Sequence, residues 1–323
     1  MSLAKTLPTS WANPHAQPPK TMSGDSSRQR VRACMLAAVR CAGAHPGEPR
    51  EALKQFMDES GVHGASIHTK AGITPLHLAA ENGRTDAIAL LADKRAGGNA
   101  EARDKAGHTP LHMAAEAGRT AAVQALLGPP VSAPVDVADA NGWTAFHYAA
   151  WAGNAPALRV LYEGHAKVER REKKRGCTAL ILAAFGGRVA AVNFLLHGVR
   201  VQANIQATDQ SQWTALHWAA FGGHMAVVEA LLSPRIDVEL FNELAPATTA
   251  KGTTALQLAK RQAAKSDGDD GGGGAHGEVV AFLQRVQDSG PKEIPLFMHL
   301  NHGTKKAKQL QISGDSAQPS ADV

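Results

Sequence analysis

Four histidines, His77, His112, His147 and His217, recur at multiples of a 35-residue interval. A regular row of imidazoles suggests a metal site, because neutral imidazole is the commonest side-chain ligand for zinc and its neighbours. Elements repeated at that interval stack about 10 Å apart, whereas one zinc ion needs its nitrogens about 2 Å away. The spacing therefore favours a structural job repeated in each unit. A second cluster, Asp267 to Glu278, places Asp at positions 1 and 3, Gly at 6 and Glu at 12, part of a calcium-loop pattern. Gly271 stands where an oxygen ligand belongs and Gly274 where an apolar residue belongs, so the stretch reads as a solvated Gly/Asp-rich insertion. The basic run Lys167 to Arg175 carries six cations and two acids. It admits three readings: a solvated projecting loop, a patch for an acidic partner, or a nuclear localisation signal. No phosphate-binding glycine loop, nucleophile elbow, zinc-protease helix, dinucleotide fingerprint or C-x-x-C occurs, so no catalytic activity and no cofactor are expected.

The elements that carry these residues follow from a repeated phrase. It runs Thr74-Pro-Leu-His-Leu-Ala-Ala, Thr109-Pro-Leu-His-Met-Ala-Ala, Thr144-Ala-Phe-His-Tyr-Ala-Ala, Thr178-Ala-Leu-Ile-Leu-Ala-Ala, Thr214-Ala-Leu-His-Trp-Ala-Ala and Thr254-Ala-Leu-Gln-Leu-Ala-Lys. Five units continue to a glycine nine residues on (Gly83, Gly118, Gly153, Gly187, Gly223) and then to a second apolar stretch. Each residue type has a physical reason. Thr caps a helix N-terminus, and Pro75 and Pro110 fit the first helical position. Paired alanines allow close helix approach, and the glycine supplies the left-handed residue that ends a short helix. Between units, Asp104, Asp139 and Asp209 with Gly72, Gly107, Gly142 and Gly176 provide turn chemistry for a projecting finger.

This phrase and its period closely resemble the ankyrin repeat. The resemblance implies an all-α solenoid of stacked helix-turn-helix units with projecting β-turn or hairpin fingers. The expected organisation is a tail over 1–27, a divergent capping helix pair over 28–65, and six repeats over 66–288 with an insertion at 264–277. A tail over 289–323 follows; both tails are read as disordered. It further implies that each motif histidine bonds within the loop framework. Ile181 and Gln257 break that pattern, and Gln212 occupies a finger position where glycine is expected.

Composition fits this frame. Of 323 residues, 44% are hydrophobic and 20% charged, enough for a core, and net charge is +5. Only 8 Phe, 5 Trp and 2 Tyr occur, which argues against aromatic-rich sheets. The three cysteines, Cys34, Cys41 and Cys177, read as reduced thiols of an intracellular protein, cytoplasmic and potentially nuclear. No stretch is apolar for long enough to span a bilayer.

Ten of the fifteen aromatics fall within residues 143–221. Phe146, Tyr148, Tyr162, Phe194 and Trp218 take core positions of the repeat. Trp143 and Trp213 precede the motif Thr, and Trp151, Phe185 and Phe221 follow the Ala-Ala pair, where the first two repeats carry Ile73, His108, Glu81 and Glu116. The resemblance implies that these variable positions line the concave groove. Either the five rings pack on one another and on the fingers, or they bind a partner. The expected partner-binding set is Trp143, Trp151, Phe185, Trp213 and Phe221 with Lys174 and Arg175 of the basic finger. The expected function is a non-catalytic scaffold or adaptor, monomeric, binding another protein and no nucleic acid, membrane or small-molecule substrate. The rivals are a regulatory or targeting subunit of an enzyme complex and an enzyme with degenerate motifs. The family also suggests Ran-linked nuclear import, which some members with apolar residues after Ala-Ala in consecutive repeats use.

Overall fold

The computed structural model describes residues 68–92, 99–198, 201–232, 246–266 and 274–289. The capping pair expected at 28–65, the tail over 1–27, all but the first residue of the tail over 289–323, Cys34 and Cys41, and most of the Asp267–Glu278 stretch lie outside them. Among the described residues the regular elements are helices: α1 (Pro75–Glu81), α2 (Thr85–Leu91), α3 (Pro110–Glu116), α4 (Thr120–Leu127), α5 (Ala145–Ala152), α6 (Ala155–Glu163), α7 (Ala179–Phe185), α8 (Val189–His197), α9 (Ala215–Gly222), α10 (Met225–Leu231), α11 (Ala255–Ser266) and α12 (Ala275–Ser289). Among the described residues, extended structure is limited to two isolated bridges, Thr208–Thr214 and Thr248–Thr254.

Odd-numbered helices form an inner layer in which each packs on the next, and even-numbered helices form an outer layer in the same order. The alanine pairs explain the inner spacing. Ala79, Ala80, Ala114, Ala115, Ala149, Ala150, Ala183, Ala184, Ala219 and Ala220 are all fully buried, so small side chains let backbones approach. Outer helices contribute Ile88, Val123, Leu126, Leu158, Leu161, Val192, Leu195, Val228 and Leu231 to one continuous core. Stability is then a sum of neighbour interfaces rather than the property of one compact nucleus.

Three fingers share one internal device. The acid five residues before the motif Thr accepts two amide hydrogens across the turn: Asp104 from Ala106 and His108, Asp139 from Asn141 and Trp143, and Asp209 from Ser211 and Trp213, all at 2.7–2.9 Å. Neighbouring fingers are joined tip to tip, Lys105 N–H to the Ala71 carbonyl at 2.8 Å and Ala140 N–H to Ala106 at 3.0 Å. Lys173 N–H to Asn141, Gln210 N–H to Arg175 and Ala250 N–H to Ser211 continue the series at 2.7–3.1 Å. Gln212 keeps the common turn and accepts the left-handed backbone, φ 60°, that glycine takes in the other fingers. Such a conformation costs a non-glycine residue roughly 1 kcal/mol.

Candidate functional site

The motif histidines come first, because they fix the frame. In α1, α3, α5 and α9 the ring Nδ1 accepts from the backbone N–H of the capping Thr at 3.0–3.2 Å. It lies 2.8–2.9 Å from that Thr hydroxyl. Nδ1 is therefore an acceptor, and Nε2–H donates to a carbonyl of the following unit: His77 to His108 at 3.0 Å, His112 to Trp143 at 3.1 Å, His147 to Arg170 at 2.9 Å and His217 to Ala247 at 3.1 Å. Both nitrogens of each ring are used within the framework, which is the structural role the spacing favoured. Burial lowers all four pKa values, those of His112 and His147 to about 4. Among the described residues no group of three His, Cys, Asp or Glu side chains is placed to hold a metal ion.

Where the histidine is missing, the frame changes. Ile181 leaves the buried Thr178 hydroxyl without a hydrogen-bond partner. Arg171 supplies the missing connection from outside, donating to the Gly176 carbonyl at 2.9 Å and to the Thr208 carbonyl of the next finger. In α11, Gln257 accepts from the Thr254 N–H at 3.1 Å and reproduces half of the histidine's work.

The basic finger is one residue longer than the others, and its acid is longer too. Glu172 stands six residues before Thr178 rather than five and is buried at 3% exposure. Its carboxylate accepts from the amides of Lys174 at 2.7 Å, Arg175 at 2.5 Å and Cys177 at 3.3 Å. The extra methylene and the extra loop residue compensate each other. A Glu at this offset was the sequence signal, and counting back from Thr178 would have found it. Lys173 and Lys174 are exposed at the tip, while the Arg175 guanidinium sits 5.4 Å over the Trp218 ring. The Cys177 thiol is buried, and that burial, with the Glu172 charge nearby, pushes its pKa up.

The aromatics form one chain of contacts. Ring centroids run Trp143 to Trp151 at 6.2 Å, Trp151 to Phe185 at 5.6 Å and Phe185 to Trp218 at 4.8 Å. From Trp218 the chain continues to Trp213 at 4.6 Å and to Phe221 at 6.0 Å, with Trp213 to Phe221 at 5.7 Å. Finger bases and inner-helix ends thus share one face. Within it the rings differ in depth. Trp143 is buried at 5% exposure, so it floors the row instead of presenting a face, with Tyr148 against it at 5.0 Å. Trp151, Phe185, Trp213 and Phe221 are half-buried. Trp218, a core position in the sequence pattern, sits at the centre of the row at 9% exposure. Its Nε1–H donates to Asp209 at 3.1 Å, as the Tyr148 hydroxyl donates to Asp139 at 2.9 Å. Each of these two finger acids therefore also aims a ring.

A second ladder holds the row and has no counterpart in the motif phrase. The residue three positions after each post-Ala-Ala residue reaches back to the preceding unit. Arg119 donates to the Glu81 carbonyl at 3.0 Å, Asn154 to Glu116 at 3.1 Å and Arg188 to Trp151 at 3.0 Å. The His224 and His276 Nε2 atoms lie 3.0 Å from the Phe185 and Phe221 carbonyls, His276 playing the part across the insertion. These ties pin the backbone of every row residue at the helix end. The left-handed glycines between them leave room for the incoming side chain. A Cβ on Gly118 would stand 2.7 Å from the Asn154 amide oxygen, and one on Gly187 2.7 Å from the His224 ring.

Beside the row, His108 joins two fingers. Its Nδ1 lies 3.0 Å from Asp104 and its Nε2 2.9 Å from the Tyr148 hydroxyl, which itself donates to Asp139. With carboxylates on both sides the His108 pKa is raised: the hydrogen-bonded link to Asp139 outweighs partial burial, and Asp104 adds to it. Burial alone would raise Asp139, but the contacts with His108, the Trp143 amide and Tyr148 hold it down to about 2.

A family model described as "Ankyrin repeats (3 copies)" matches residues 35–136, 131–209 and 169–242. The chain belongs to the ankyrin-repeat family. Its fold is similar to the ankyrin repeat domain of Bcl-3, described as a unique member of the IkappaB protein family. That match has a TM-score of 0.53 and 23% identity over 69% of this chain and 92% of that chain. No curated protein matches the chain. Among the described residues of this ankyrin solenoid, no helix is long and apolar enough to cross a membrane.

Proposed function

We propose that this ankyrin solenoid is a non-catalytic scaffold or adaptor. The face of repeats three to five grips an apolar segment of another protein, with acidic groups of that segment meeting the basic finger. The observation that carries this reading is the placement of Trp151, Phe185 and Phe221. They are half-buried rings at three consecutive equivalent positions, each with its backbone carbonyl tied to the next unit. Trp213 widens the strip and Trp143 supports it from below. A pre-ordered aromatic strip loses little side-chain entropy on binding. Covering about 200 Å² of ring surface is worth roughly 5 kcal/mol before association costs. Lys173 and Lys174 stand exposed on the finger whose Arg175 touches the strip, which supplies charge next to apolar area, the composition of interaction hot spots.

The test is affinity capture from cell extract, comparing the wild-type chain with a Trp151→Ala, Phe185→Ala, Phe221→Ala variant, both verified as folded. The expected result is loss of at least about tenfold in recovered partner, equivalent to about 1.4 kcal/mol; an unchanged partner list contradicts the reading. The same three positions support nuclear import in addition to cytoplasmic residence. An equal nuclear share for fluorescent fusions of the two proteins would sink that part.

A further inference from the structure

The position after the Ala-Ala pair repeats once per unit, and its six occupants are not mixed at random. In chain order they are Glu81, Glu116, Trp151, Phe185, Phe221 and Arg261. Each lies in or ends an inner helix, and those helices pack on one another in this order. The first five have the backbone carbonyl pinned by the next unit. The row therefore reads acid, acid, ring, ring, ring, base along one line of the molecule. Glu81, Glu116 and Arg261 are exposed. Partial desolvation in the groove raises the Glu116 pKa, His108 opposes it and the charge of Glu81 adds to it, as expected for two carboxylates side by side. At the other end the row closes on Arg261, whereas Lys173 and Lys174 belong to the fourth finger, at the level of Phe185.

Resting on the aromatic-groove reading above, we infer that the row reads a single partner segment with segregated charge. Its cationic end lies on Glu81 and Glu116, its apolar middle on Trp151, Phe185 and Phe221, and its acidic end on Arg261. The occupant is fixed by charge complementarity. A segment acidic at both ends would bring like charge onto Glu81 and Glu116, and one basic at both ends would bring it onto Arg261. Dimensions set the length. Inner helices packed 8–10 Å apart place the six positions over about 40–50 Å, which an extended chain covers in roughly 12–15 residues. Arrangement along the groove is what is read, so the segment satisfies it in either chain direction provided its charges are segregated.

The experiment uses fluorescent 15-residue probes and the full chain, with anisotropy as readout. One probe carries Lys in its first third, Leu and Phe in the middle and Glu in the last third. A second has the same composition and the same apolar middle, but alternates Lys and Glu on both flanks. The segregated probe is expected to bind about tenfold tighter at low salt, with the advantage shrinking as salt screens it. A Glu81→Lys, Glu116→Lys variant, altered only at exposed side chains, is expected to lose that preference and to favour a third probe acidic at both ends. Equal binding of the segregated and alternating probes, or a preference that survives the double variant, overturns the inference. If probes bind but the Trp151→Ala, Phe185→Ala, Phe221→Ala variant binds them as well as wild type does, the aromatic groove falls with it. Loss of binding in that variant together with indifference to charge order leaves the groove and removes only the charge reading. No binding of any probe up to about 100 μM, a weak-interaction ceiling, overturns both.

Discussion

Lowering the pH from 7 to 4.5 is expected to destabilise the solenoid by several kcal/mol, well before any carboxylate is fully protonated. The cause is the histidine frame. A buried His whose folded pKa lies below its unfolded value of about 6.5 resists protonation in the native state only. The unfolded chain then binds more protons between about pH 6.5 and 4, so stability falls with pH in that window. His112 and His147, each held at about 4, contribute roughly 2–3 kcal/mol apiece across it, at about 1.4 kcal/mol per pKa unit. His77 and His217 shift in the same direction. His108 has the opposite sign. Its raised pKa gives stability that is fully present at acid pH and lost as pH climbs above its folded value. Urea midpoints measured across pH 4.5–8 check the sum. His147→Gln, which places in α5 the side chain that α11 carries naturally at Gln257, should remove part of the acid slope. A midpoint flat from pH 7 to 5 would count against the frame.

The second large effect separates two aromatics that lie five residues apart on one helix. Phe146 of α5 is buried at 1% exposure and fills the interface between units. Phe146→Ala is expected to cost about 3–5 kcal/mol, through lost transfer energy and the cavity left behind. Because the array is stabilised by neighbour interfaces, a loss at its centre also divides it, and unfolding should broaden into two transitions. Trp151→Ala, at the end of the same helix on the half-buried strip, is expected to cost about 1–2 kcal/mol and leave a single transition. Thermal and urea unfolding of the two variants provide the comparison. Equal losses would mean that the strip is merely more core.

Much of the fold was legible because one phrase carries it. Thr, the glycine and the Nδ1 side of the histidine act within a few residues of their own position, and the rest of the phrase repeats in every unit, so spacing alone places them. Ile181 and Gln257 stood out as departures for the same reason. What escaped was the chemistry that crosses units. Arg171 replaces a lost histidine by reaching into the next finger. Glu172 takes over the finger acid from one position earlier, with the longer side chain that this offset needs. The backward ties from Arg119, Asn154, Arg188, His224 and His276 use different residue types for one geometry, so no letter pattern marks them. The site was legible as a list of rings but not as depths. Trp143 and Trp213 share a register, and each packs on the ring five residues on, Tyr148 at 5.0 Å and Trp218 at 4.6 Å, yet the first is buried and the second half-buried. The same residue type stands at both positions, so composition carries no trace of that difference.

The central claim is that the strip formed by repeats three to five is where a partner sits. Site-specific photo-crosslinking tests it most directly, with a photoreactive phenylalanine analogue replacing Phe185 in the strip or, as a control, Asn193, exposed on the outer helix α8. After irradiation in cell extract, the position-185 protein is expected to yield a discrete covalent adduct with the captured partner, and the position-193 protein none. Adducts from position 193 alone, or equal labelling from both faces, would contradict the account.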